Sequence, residues 1–449
     1  MRKQIPTQTG AMPRRHFLKT AAAAGAGLVI LPSGVVSGAS SPSNKLNIAM
    51  VGAGGRARAH YGTAAKENIA ALCDVDANNL AKAATKYPKA KTYVDWRKCV
   101  DQKDLDAVIC CTTDHTHAFV CCWALNRDLH VYCEKPMGIT VNEVRTVREK
   151  YLAKKDKLAT QQGTQRHEYP NFNRVREFIR DGAVGELKAA WAWGNRKLPR
   201  DGYLPGEGIA PKTLNYDLWL GPAPYHPYNK GYFRGCLGWN MYRDFGTGQI
   251  GDMGAHTMDL VWNAIDADLP TTAEASGEKH NPDIVPVRMT ATWDIPKNDW
   301  RPDIKVTWCM GGDMPKSPMG WLDLNKIGHG ALFKGDKGFV VTEFTKMVFV
   351  PYGKNCDLSY WNKRPNDAIL PDLGHFQEDW LKACKDPSRK TACDFKYSGD
   401  MMEMMFLGLV AHRVGKKLAY DGKAGKVTNV PEANQYLTKD YRNDWVLDG

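Results

Sequence analysis

The sequence lacks a long apolar run and lacks cysteines at metal-binding spacing. The apolar run near its start, from Ala21 to Leu31, has 11 residues, whereas a helix that crosses a bilayer needs roughly 20. None of the 12 cysteines lies in a CxxC pattern, which argues against a structural zinc site. No cysteine precedes Cys73, so a lipid-anchored form has no attachment site. We therefore expect no stable membrane anchor.

The charged residues do not form blocks of one sign. The formal net charge is +12, but five of the positive residues fall within the first 19 positions and the others are spread along the chain. A mildly basic protein suits anionic surfaces or substrates, and nucleic-acid binding is not implied. With 449 residues, 43% of them hydrophobic and 24% charged, the chain is expected to form a globular protein of two domains.

Residues 1–39 are typical of an export signal. Arg14 and Arg15 precede the short apolar run, and Ser37-Gly38-Ala39 supplies small residues for leader-peptidase cleavage. Paired arginines before a short apolar stretch predict the twin-arginine route, so we expect export, to the periplasm. The alternative is a chance basic pair before an alanine-rich helix. Residues 40–44 are predicted to be a linker.

Strand and helix patterns alternate from residue 45 to residue 162. This alternation over about 120 residues predicts an α/β domain with a doubly wound parallel sheet, a Rossmann-type nucleotide-binding domain. The predicted strands lie at 46–51, 69–73, 105–112, 130–136 and 158–161.

Residues 163–449 have a different pattern. Strands with period-two alternation are predicted between residues 187 and 350, and helices at 171–180, 249–264, 375–383 and 401–416. This combination predicts an α+β domain with an open, mainly antiparallel sheet, covered by helices on one face. A long loop rich in glycine, proline, tyrosine and tryptophan runs from residue 197 to residue 246.

A glycine-rich turn follows the first predicted strand and reads Gly52-Ala53-Gly54-Gly55-Arg56-Ala57. Glycines at such a turn let the backbone approach a pyrophosphate at the start of a helix. Asp74 follows Gly54 by 20 residues, where an acid can bind a ribose diol and repel a 2′-phosphate. The pattern predicts NAD, while Arg56 keeps NADP possible. The alternative is an ordinary glycine turn with a solvated aspartate.

The segment Thr112-Thr113-Asp114-His115-Thr116-His117 follows another predicted strand. At the carboxyl edge of a parallel sheet it would face the nicotinamide half of the cofactor, with Thr112, Asp114 and His117 as candidate cofactor contacts. Two histidines two residues apart raise the question of a metal, but no third ligand has a convincing spacing. We expect no metal; a bland surface loop is the other interpretation.

The strand that begins at His130 ends in Glu134-Lys135-Pro136. Proline cannot continue the sheet ladder, so Lys135 lies at the strand end. A desolvated lysine has a lowered pKa and can polarise a hydroxyl or carbonyl group near neutral pH. The alternative is a surface ion pair between adjacent residues.

Asp252 and His256 lie one turn apart if the segment 249–264 is helical. A carboxylate beside an imidazole orients the ring and stabilises its protonated form, which suits general acid–base chemistry. The alternative is a helix cap at Asp252 with a core histidine.

These motifs together resemble the Gfo/Idh/MocA oxidoreductases, named for glucose–fructose oxidoreductase and inositol dehydrogenase. The resemblance covers roughly residues 45–430. It implies that Lys135, Asp252 and His256 form the catalytic group, and that Glu134, Lys135 and the 112–117 segment touch the cofactor. It also implies that the second domain covers the nicotinamide and often mediates oligomers, so we expect a homo-oligomer, a dimer or tetramer. Ala57 in place of a third glycine, Thr113 in place of proline, and the long aromatic loop depart from the family pattern.

The reaction implied is hydride transfer between a hydroxyl carbon of a sugar or cyclitol and the nicotinamide. His256 would exchange the hydroxyl proton while Lys135 holds the oxygen. Aromatic side chains of the second domain are candidates for stacking on a sugar ring, although packing is the equal alternative for each: Trp191, Trp193, Tyr216, Trp219, Trp239 and Tyr242.

Export predicts a tightly held cofactor, because no pool of free NAD is expected outside the cytoplasm. The cofactor would then be recycled in place, by a second substrate or in a redox-neutral cycle. In that cycle, transient oxidation of a sugar allows elimination of a glycosidic bond and is then reversed; this glycoside cleavage is the second hypothesis. A non-catalytic cofactor or sugar sensor is the third.

Overall fold

The computed structural model describes residues 44–353 and 370–448. Six strands form a parallel sheet in the order β3-β2-β1-β4-β5-β6. The predicted doubly wound sheet is therefore confirmed, and β6 ends at the last residue of the predicted first domain. The six strands are β1 Asn47–Val51, β2 Asn68–Cys73, β3 Lys91–Tyr93, β4 Ala107–Cys110, β5 His130–Cys133 and β6 Thr160–Gln162.

A second sheet of nine strands has the order β13-β12-β11-β7-β10-β9-β8-β14-β15. Its pairs are antiparallel except for β7 with β10, so the predicted antiparallel sheet is mixed at its centre. The strands are β7 Leu187–Gly194, β8 Thr272–Gly277, β9 Met289–Ile295, β10 Ile304–Met310, β11 His329–Gly335, β12 Gly338–Thr342, β13 Met347–Pro351, β14 Leu418–Asp421 and β15 Lys426–Val427.

Helices connect and cover the two sheets. Short 3-10 helices occur as well, among them Gly55–Ala59 and Gln165–Glu168. The α-helices are α1 Tyr61–Ala64, α2 Ala77–Lys86, α3 Trp96–Val100, α4 Asp114–Asn126, α5 Val141–Leu152, α6 Pro170–Arg180, α7 Tyr216–Leu220, α8 Cys236–Trp239, α9 Gly248–Gly251, α10 Met253–Ala264, α11 Phe376–Lys385 and α12 Phe395–Val414.

The predicted helix 249–264 is interrupted at Asp252. Helix α9 ends at Gly251 and α10 begins at Met253, while Asp252 between them has φ −78° and ψ −93°, outside the helical region. Asp252 is thus the residue before α10 and not part of one continuous helix. The prediction that Asp252 and His256 share a helix face is wrong for this reason.

The last part of the chain returns to the first sheet. Phe376 and Trp380 of α11 belong to the same buried cluster as Ile48 of β1 and Tyr132 of β5. Further along, the Gln162 N–H donates to the Cys393 carbonyl oxygen at 2.9 Å, which covers the edge strand β6. Residues far apart in sequence therefore complete the core of the first sheet.

Buried ion pairs join α5 to α12. Arg148, which is buried, bonds Asp400 and also Glu403, the latter at 2.6 Å; Arg145 bonds the other oxygen of Glu403 at 2.6 Å. Glu403 has no exposed side-chain surface, so its charge is balanced by the arginines alone, with a hydrogen bond from Tyr420. These two helices hold one another through charges that water cannot reach.

Within the described ranges, no helix has both the length and the apolar character needed to cross a membrane. The eleven cysteines in those ranges are free thiols. Cys384 and Cys393 are among them. The twin-arginine signal and Cys356 lie outside the described residues.

Glu403→Gln should lower the free energy of unfolding by about 3 kcal/mol, because removing the carboxylate leaves Arg145 and Arg148 buried with too little negative charge. Urea unfolding followed by tryptophan fluorescence measures the change. Glu149→Gln is the control, since it removes the exposed partner of Arg145, at 3.5 Å, and should change stability by less than about 0.5 kcal/mol. Equal effects of the two substitutions would contradict the prediction.

Candidate active site

The carboxyl ends of the first sheet's strands open into a cavity of about 700 Å³. Its other walls come from α10 and from the long loop after β7. Most of the residues predicted from the sequence lie on its lining: Gly52, Gly54, Gly55, Arg56, Asp74, Thr112, Asp114, His117, Glu134, Lys135 and His256. The sheet edge thus brings together motifs that are more than 200 positions apart in the chain.

The glycine turn requires glycine at two positions. Gly52 has φ +85°, and a Cβ there would lie 2.6 Å from the carbonyl oxygen of Cys111. A Cβ at Gly54 would lie 2.5 Å from the Asn79 side chain. Such a bare backbone can approach a pyrophosphate closely, so the turn fits a dinucleotide. Ala57 is fully buried in the core instead of lining the cavity, which suits the third, packing position of the motif.

The helix that follows this turn is shorter than the sequence predicts. A 3-10 helix, Gly55–Ala59, comes first, and only then the four-residue α1. The N–H groups that would face a pyrophosphate therefore belong mostly to the glycine turn itself.

Asp74 is fixed by backbone hydrogen bonds. Its two carboxylate oxygens accept from the N–H groups of Gly54 and Asp76, each at 2.9 Å. Burial raises the pKa of Asp74 and these hydrogen bonds oppose the increase. Asp74 also lines the cavity, which suits the predicted contact with a ribose diol.

Glu134 lines the cavity and bonds two basic side chains. Its Oε1 atom accepts from His60 Nε2 at 2.7 Å and from Arg56 Nε at 2.9 Å. Burial alone would raise the pKa of Glu134, but His60 and Arg56 outweigh it and lower the pKa to about 2. Arg56 is thereby turned toward Glu134.

His117 joins the ends of two strands. Its Nδ1 lies 2.6 Å from the Pro136 carbonyl oxygen and its Nε2 lies 3.1 Å from the Thr112 carbonyl oxygen. Both partners are acceptors, so both ring nitrogens must donate and the ring is the imidazolium. Burial would lower the pKa of His117, but Cys110, Asp114 and the two carbonyl groups raise it.

Asp114 begins α4 beside this ring and lines the cavity. Burial raises its pKa to about 7, although His117 and Lys135 oppose the increase. Asp114 is therefore an acid that changes charge near neutral pH, a property that could not be predicted from the sequence.

Lys135 makes an ion pair with Asp252 across the two parts of the site. The second oxygen of Asp252 lies 3.2 Å from Arg196 Nη1. Burial would lower the pKa of Lys135, but Asp252 and Asp114 outweigh it and raise the pKa above its ordinary value. The predicted lowered pKa of Lys135 is therefore wrong, because the lysine is desolvated together with a carboxylate. The same pair lowers the pKa of Asp252 against the effect of burial.

His256 lies on α10 and is buried at the cavity wall. Among the described residues, the Asp252 side chain bonds Lys135, Arg196 and Gln249, and His256 is not among its partners. Burial, Lys135 and Arg166 lower the pKa of His256 to about 3. The ring is thus neutral. Asp252 acts as predicted, since it raises the pKa of His256, but burial and the two cations outweigh it. Its Nδ1 atom is buried without a hydrogen-bond partner, which leaves Nε2 for the cavity.

The aromatic candidates divide into two groups. Trp219 and Trp239 line the cavity. Trp193 is fully buried in a cluster against β12, with Trp191 packed beside it, and its indole N–H donates to the Ile327 carbonyl oxygen at 2.7 Å. Tyr242 is buried in the loop core, and Tyr216 packs there with its hydroxyl bonded to the His226 carbonyl oxygen. The predicted stacking role is wrong for Trp193 and Tyr242, because packing occupies their faces; Trp191 and Tyr216 are only partly buried, and their role stays a prediction.

Several side chains near the catalytic group were not predicted from the sequence. Arg166 lies shortly after β6 and Arg196 shortly after β7. A position after a strand was the only feature of the sequence that could have indicated either residue. Others come from the long loop and line the cavity: Tyr232, Phe233 and Cys236.

Two groups of side chains in the described residues are close enough to hold a metal ion: Cys110 with His117 and Cys133, and His167 with Asp259 and Cys393. In the first, both ring nitrogens of His117 already bond carbonyl groups; in the second, His167 Nδ1 bonds Asp259 at 2.9 Å. A metal would have to displace these bonds, so we assign none.

Comparison with known proteins agrees with the fold and the glycine turn. Residues 46–162 match the family model described as an oxidoreductase family with an NAD-binding Rossmann fold, and residues 190–294 match the C-terminal α/β domain of the same family. The predicted NAD-binding domain is thereby confirmed.

Curated relatives match over part of their length. Inositol 2-dehydrogenase of Salmonella typhimurium is 31% identical over 119 residues, which are 26% of this chain and 35% of the relative. Levoglucosan dehydrogenase of Pseudarthrobacter phenanthrenivorans is 22% identical over 229 residues, 48% of this chain and 50% of the relative. The chain thus spans about a third to a half of these relatives.

Solved structures extend the likeness in fold. The WlbA dehydrogenase of Bordetella pertussis, solved with NADH and UDP-GlcNAcA, has a TM-score of 0.59 at 12% identity and covers 84% of this chain and 98% of its own. A levoglucosan dehydrogenase complex with NADH and levoglucosan has a TM-score of 0.54 at 14% identity, over 83% and 98%. At these identities the likeness establishes the fold alone.

The charge of Asp114 should make cofactor binding depend on pH. Below pH 7 the carboxyl group is mostly protonated, and above it the anion favours the cationic nicotinamide of NAD⁺ over neutral NADH. The affinity for NAD⁺, measured by calorimetry from pH 6 to pH 8, should therefore rise relative to that for NADH. Asp114→Asn should abolish this rise. Asp76→Asn, at another cavity residue that caps α2 equally well as asparagine, should keep it; a rise retained in Asp114→Asn would exclude Asp114.

Proposed function

We propose that this chain, which belongs to the Gfo/Idh/MocA oxidoreductases, transfers hydride between a hydroxyl carbon of a sugar or cyclitol and a bound nicotinamide. The observation that carries the proposal is that Lys135 and His256 line the same cavity as the glycine turn and Asp74. One end of the cavity fits a dinucleotide, and the other holds a buried cation beside a neutral imidazole. Bound NAD supplies the hydride acceptor.

Lys135 would bind the oxygen of the reacting hydroxyl. Because its pKa is raised, it is an ammonium group at neutral pH and acts as a hydrogen-bond donor, not as a base. A donor aimed at that oxygen stabilises the negative charge that develops when the proton leaves. Asp252 keeps the ammonium group charged and holds it in place.

His256 would accept the hydroxyl proton at Nε2. A base must be unprotonated before the reaction, and the lowered pKa of His256 meets this condition across neutral pH. Lys135 and Arg166, the nearby cations that lower this pKa, would also favour return of the proton. The same shift makes the neutral ring a weak base, so His256 would hold the proton only transiently and return it readily.

The cofactor is proposed to be NAD in preference to NADP. Asp74 places a fixed negative charge where a 2′-phosphate would lie. Arg56, the cation in the glycine turn, is engaged with Glu134 at 2.9 Å and not with a phosphate position. Both observations favour the unphosphorylated ribose.

The long loop supports tight retention of the cofactor. Its backbone bonds the first domain twice: the Ala77 N–H donates to the Thr213 carbonyl oxygen and the Asn215 N–H donates to the Val75 carbonyl oxygen, each at 2.8 Å. Trp219 of the same loop lines the cavity that Asp74 also lines. A cofactor in that cavity would be covered along its length, so release requires the loop to move.

The position of the long loop over the cavity agrees with the proposed export by the twin-arginine route to the periplasm. An exported protein must carry its cofactor with it and recycle the cofactor in place. The same observation favours redox-neutral glycoside cleavage as a second candidate, because that reaction regenerates NAD without exchange. A sensor without catalysis is less favoured, since it needs neither the buried ammonium group nor the neutral histidine. Homo-oligomers stay a prediction.

A sugar panel tests the function. The purified protein should contain NAD, detected by mass spectrometry after denaturation, without any added cofactor. Incubation with sugars, cyclitols and aryl glycosides should yield keto products; release of the aglycone without net oxidation would instead identify the glycosidase. Protein that retains NAD but changes no member of the panel would support the sensor.

Lys135→Ala should reduce turnover by roughly 10²–10⁴-fold, because the substrate oxygen loses its donor. NAD content should stay near that of the wild type, since the glycine turn and Asp74 are intact. The measurement is single-turnover reduction of bound NAD. Lys197→Ala, at an exposed lysine beyond β7, is the control and should retain full activity. Full activity in Lys135→Ala would remove this lysine from the mechanism.

A further inference from the structure

Positive charge gathers on the second-domain side of the catalytic group. Arg196 lies two residues after β7, and His329 begins β11, where it pairs with Gly194 at the end of β7. Arg166, from the 3-10 helix after β6, lies close enough to influence the ionisation of His256, Asp252 and His329. These three side chains extend the site beyond Lys135 and His256.

The acids nearby offset this charge only in part. Asp252 is shared between Lys135 and Arg196, and Glu134 is already bonded to Arg56 and His60. Asp252 and Glu343 attract Arg166 from a distance, but within residues 44–353 and 370–448 its guanidinium group makes neither an ion pair nor a side-chain hydrogen bond. It rests on the Phe344 ring at 4.0 Å from the ring centroid. A half-buried guanidinium with five unused donors is unusual unless something else binds it.

Arg166 is also held in place. Its neighbour His167 bonds both carboxylate oxygens of Asp259, at 2.9 and 3.0 Å, and Asp259 accepts a further bond from the Tyr397 hydroxyl at 2.5 Å. Asp259 lies on α10, two turns after Asp252, and is fully buried. The segment that carries Arg166 is thereby anchored to the helix that carries His256.

The ring that supports Arg166 reaches the catalytic histidine. Phe344 lies edge-on to the His256 ring, with the centroids 6.5 Å apart. A substrate whose hydroxyl lies between Lys135 and His256 would therefore have another part of its ring near Arg166 and Arg196. Arginine binds carboxylate and phosphate oxygens through two parallel hydrogen bonds.

We propose that Arg166 and Arg196 form a subsite for an anionic group on the substrate, so that the enzyme acts on an acidic or phosphorylated sugar in preference to a neutral one. This inference rests on the proposed function, since it assumes that the sugar hydroxyl lies at Lys135 and His256. The subsite determines specificity and takes no part in the transfer of the proton or the hydride. His329 borders the subsite as a neutral imidazole, because burial and the two arginines lower its pKa to about 4.

Matched sugars test the subsite with the NAD-containing protein. Glucose, glucuronate and glucose 6-phosphate, and the corresponding galactose series, are compared both for binding by calorimetry and for oxidation. We expect a charged member to bind roughly 10–100-fold more tightly than its neutral partner, the range that a charge-assisted hydrogen bond supplies. The carboxylate and phosphate members distinguish the two kinds of anion. The preference should shrink as salt is raised from 0.05 to 0.5 M.

Substitutions of Arg166 test whether this arginine causes the preference for charged sugars. Arg166→Gln should raise KM for the charged sugar with a smaller change in kcat, and Arg166→Lys should retain part of the preference because it keeps the charge but loses the planar pair of donors. Arg127→Gln is the control, since Arg127 also stacks on an aromatic ring, Trp123 at 4.1 Å, but follows the C-terminal end of α4, the end opposite to Asp114. The thermal midpoints of the variants establish that each is folded.

The outcomes separate this inference from the proposed function. Equal binding of charged and neutral sugars, or a charge preference that survives Arg166→Gln, overturns the subsite even if sugars are oxidised. Charge-selective binding that depends on Arg166, without oxidation of any member, supports the subsite and counts against the hydride-transfer function.

Discussion

The ion pair between Lys135 and Asp252 determines how the site works. Lys135 ends a strand of the first sheet, and Asp252 occupies the break between two helices that pack on the second sheet. Their pairing connects the two halves of the site and keeps the lysine charged although it is buried. The carboxylate pairs with the lysine and Arg196 and makes no hydrogen bond to His256. Its attraction for the protonated imidazole is therefore outweighed by burial, Lys135 and Arg166, which keeps the ring neutral.

Two of the buried acids of the site are each shared between basic side chains. Glu134 is bonded by Arg56 and His60 on the cofactor side, while Asp252 is paired with Lys135 and Arg196 on the substrate side. Arg166 pairs with neither acid, so an excess of positive charge remains toward the second domain. An excess of this kind is costly in a low-dielectric interior unless a ligand offsets it. The charge distribution thus carries information on the substrate as well as on the reaction.

Site residues could be predicted from the sequence where the interactions that determine their roles are local. Gly52 and Asp74 follow strands directly, and their roles depend on backbone conformation and on the edge of a parallel sheet. The prediction that Asp252 and His256 share a helix face failed because Asp252 pairs with Lys135, a tertiary contact that competes with continuation of the helix. The prediction for Trp193 failed for a similar reason. An indole on a strand can face either side of the sheet, and the alternation of the sequence does not reveal which of the two sides is buried. Arg166 was missed because nothing near it in sequence reveals that its neighbour His167 is anchored to Asp259.

The return of the last helices to the first sheet bears on the order of events during synthesis. Phe376 and Trp380 fill the core beneath Tyr132, and the chain near Cys393 covers the edge of β6. A ribosome that has made only the first 162 residues has therefore released every strand of the first sheet but not the material that closes it. Domains generally fold as they emerge, the N-terminal one first; here the nucleotide-binding half must wait, partly open, for residues made more than 200 positions later. The interval between translation of β6 and of α11 is when this chain depends most on being shielded from aggregation.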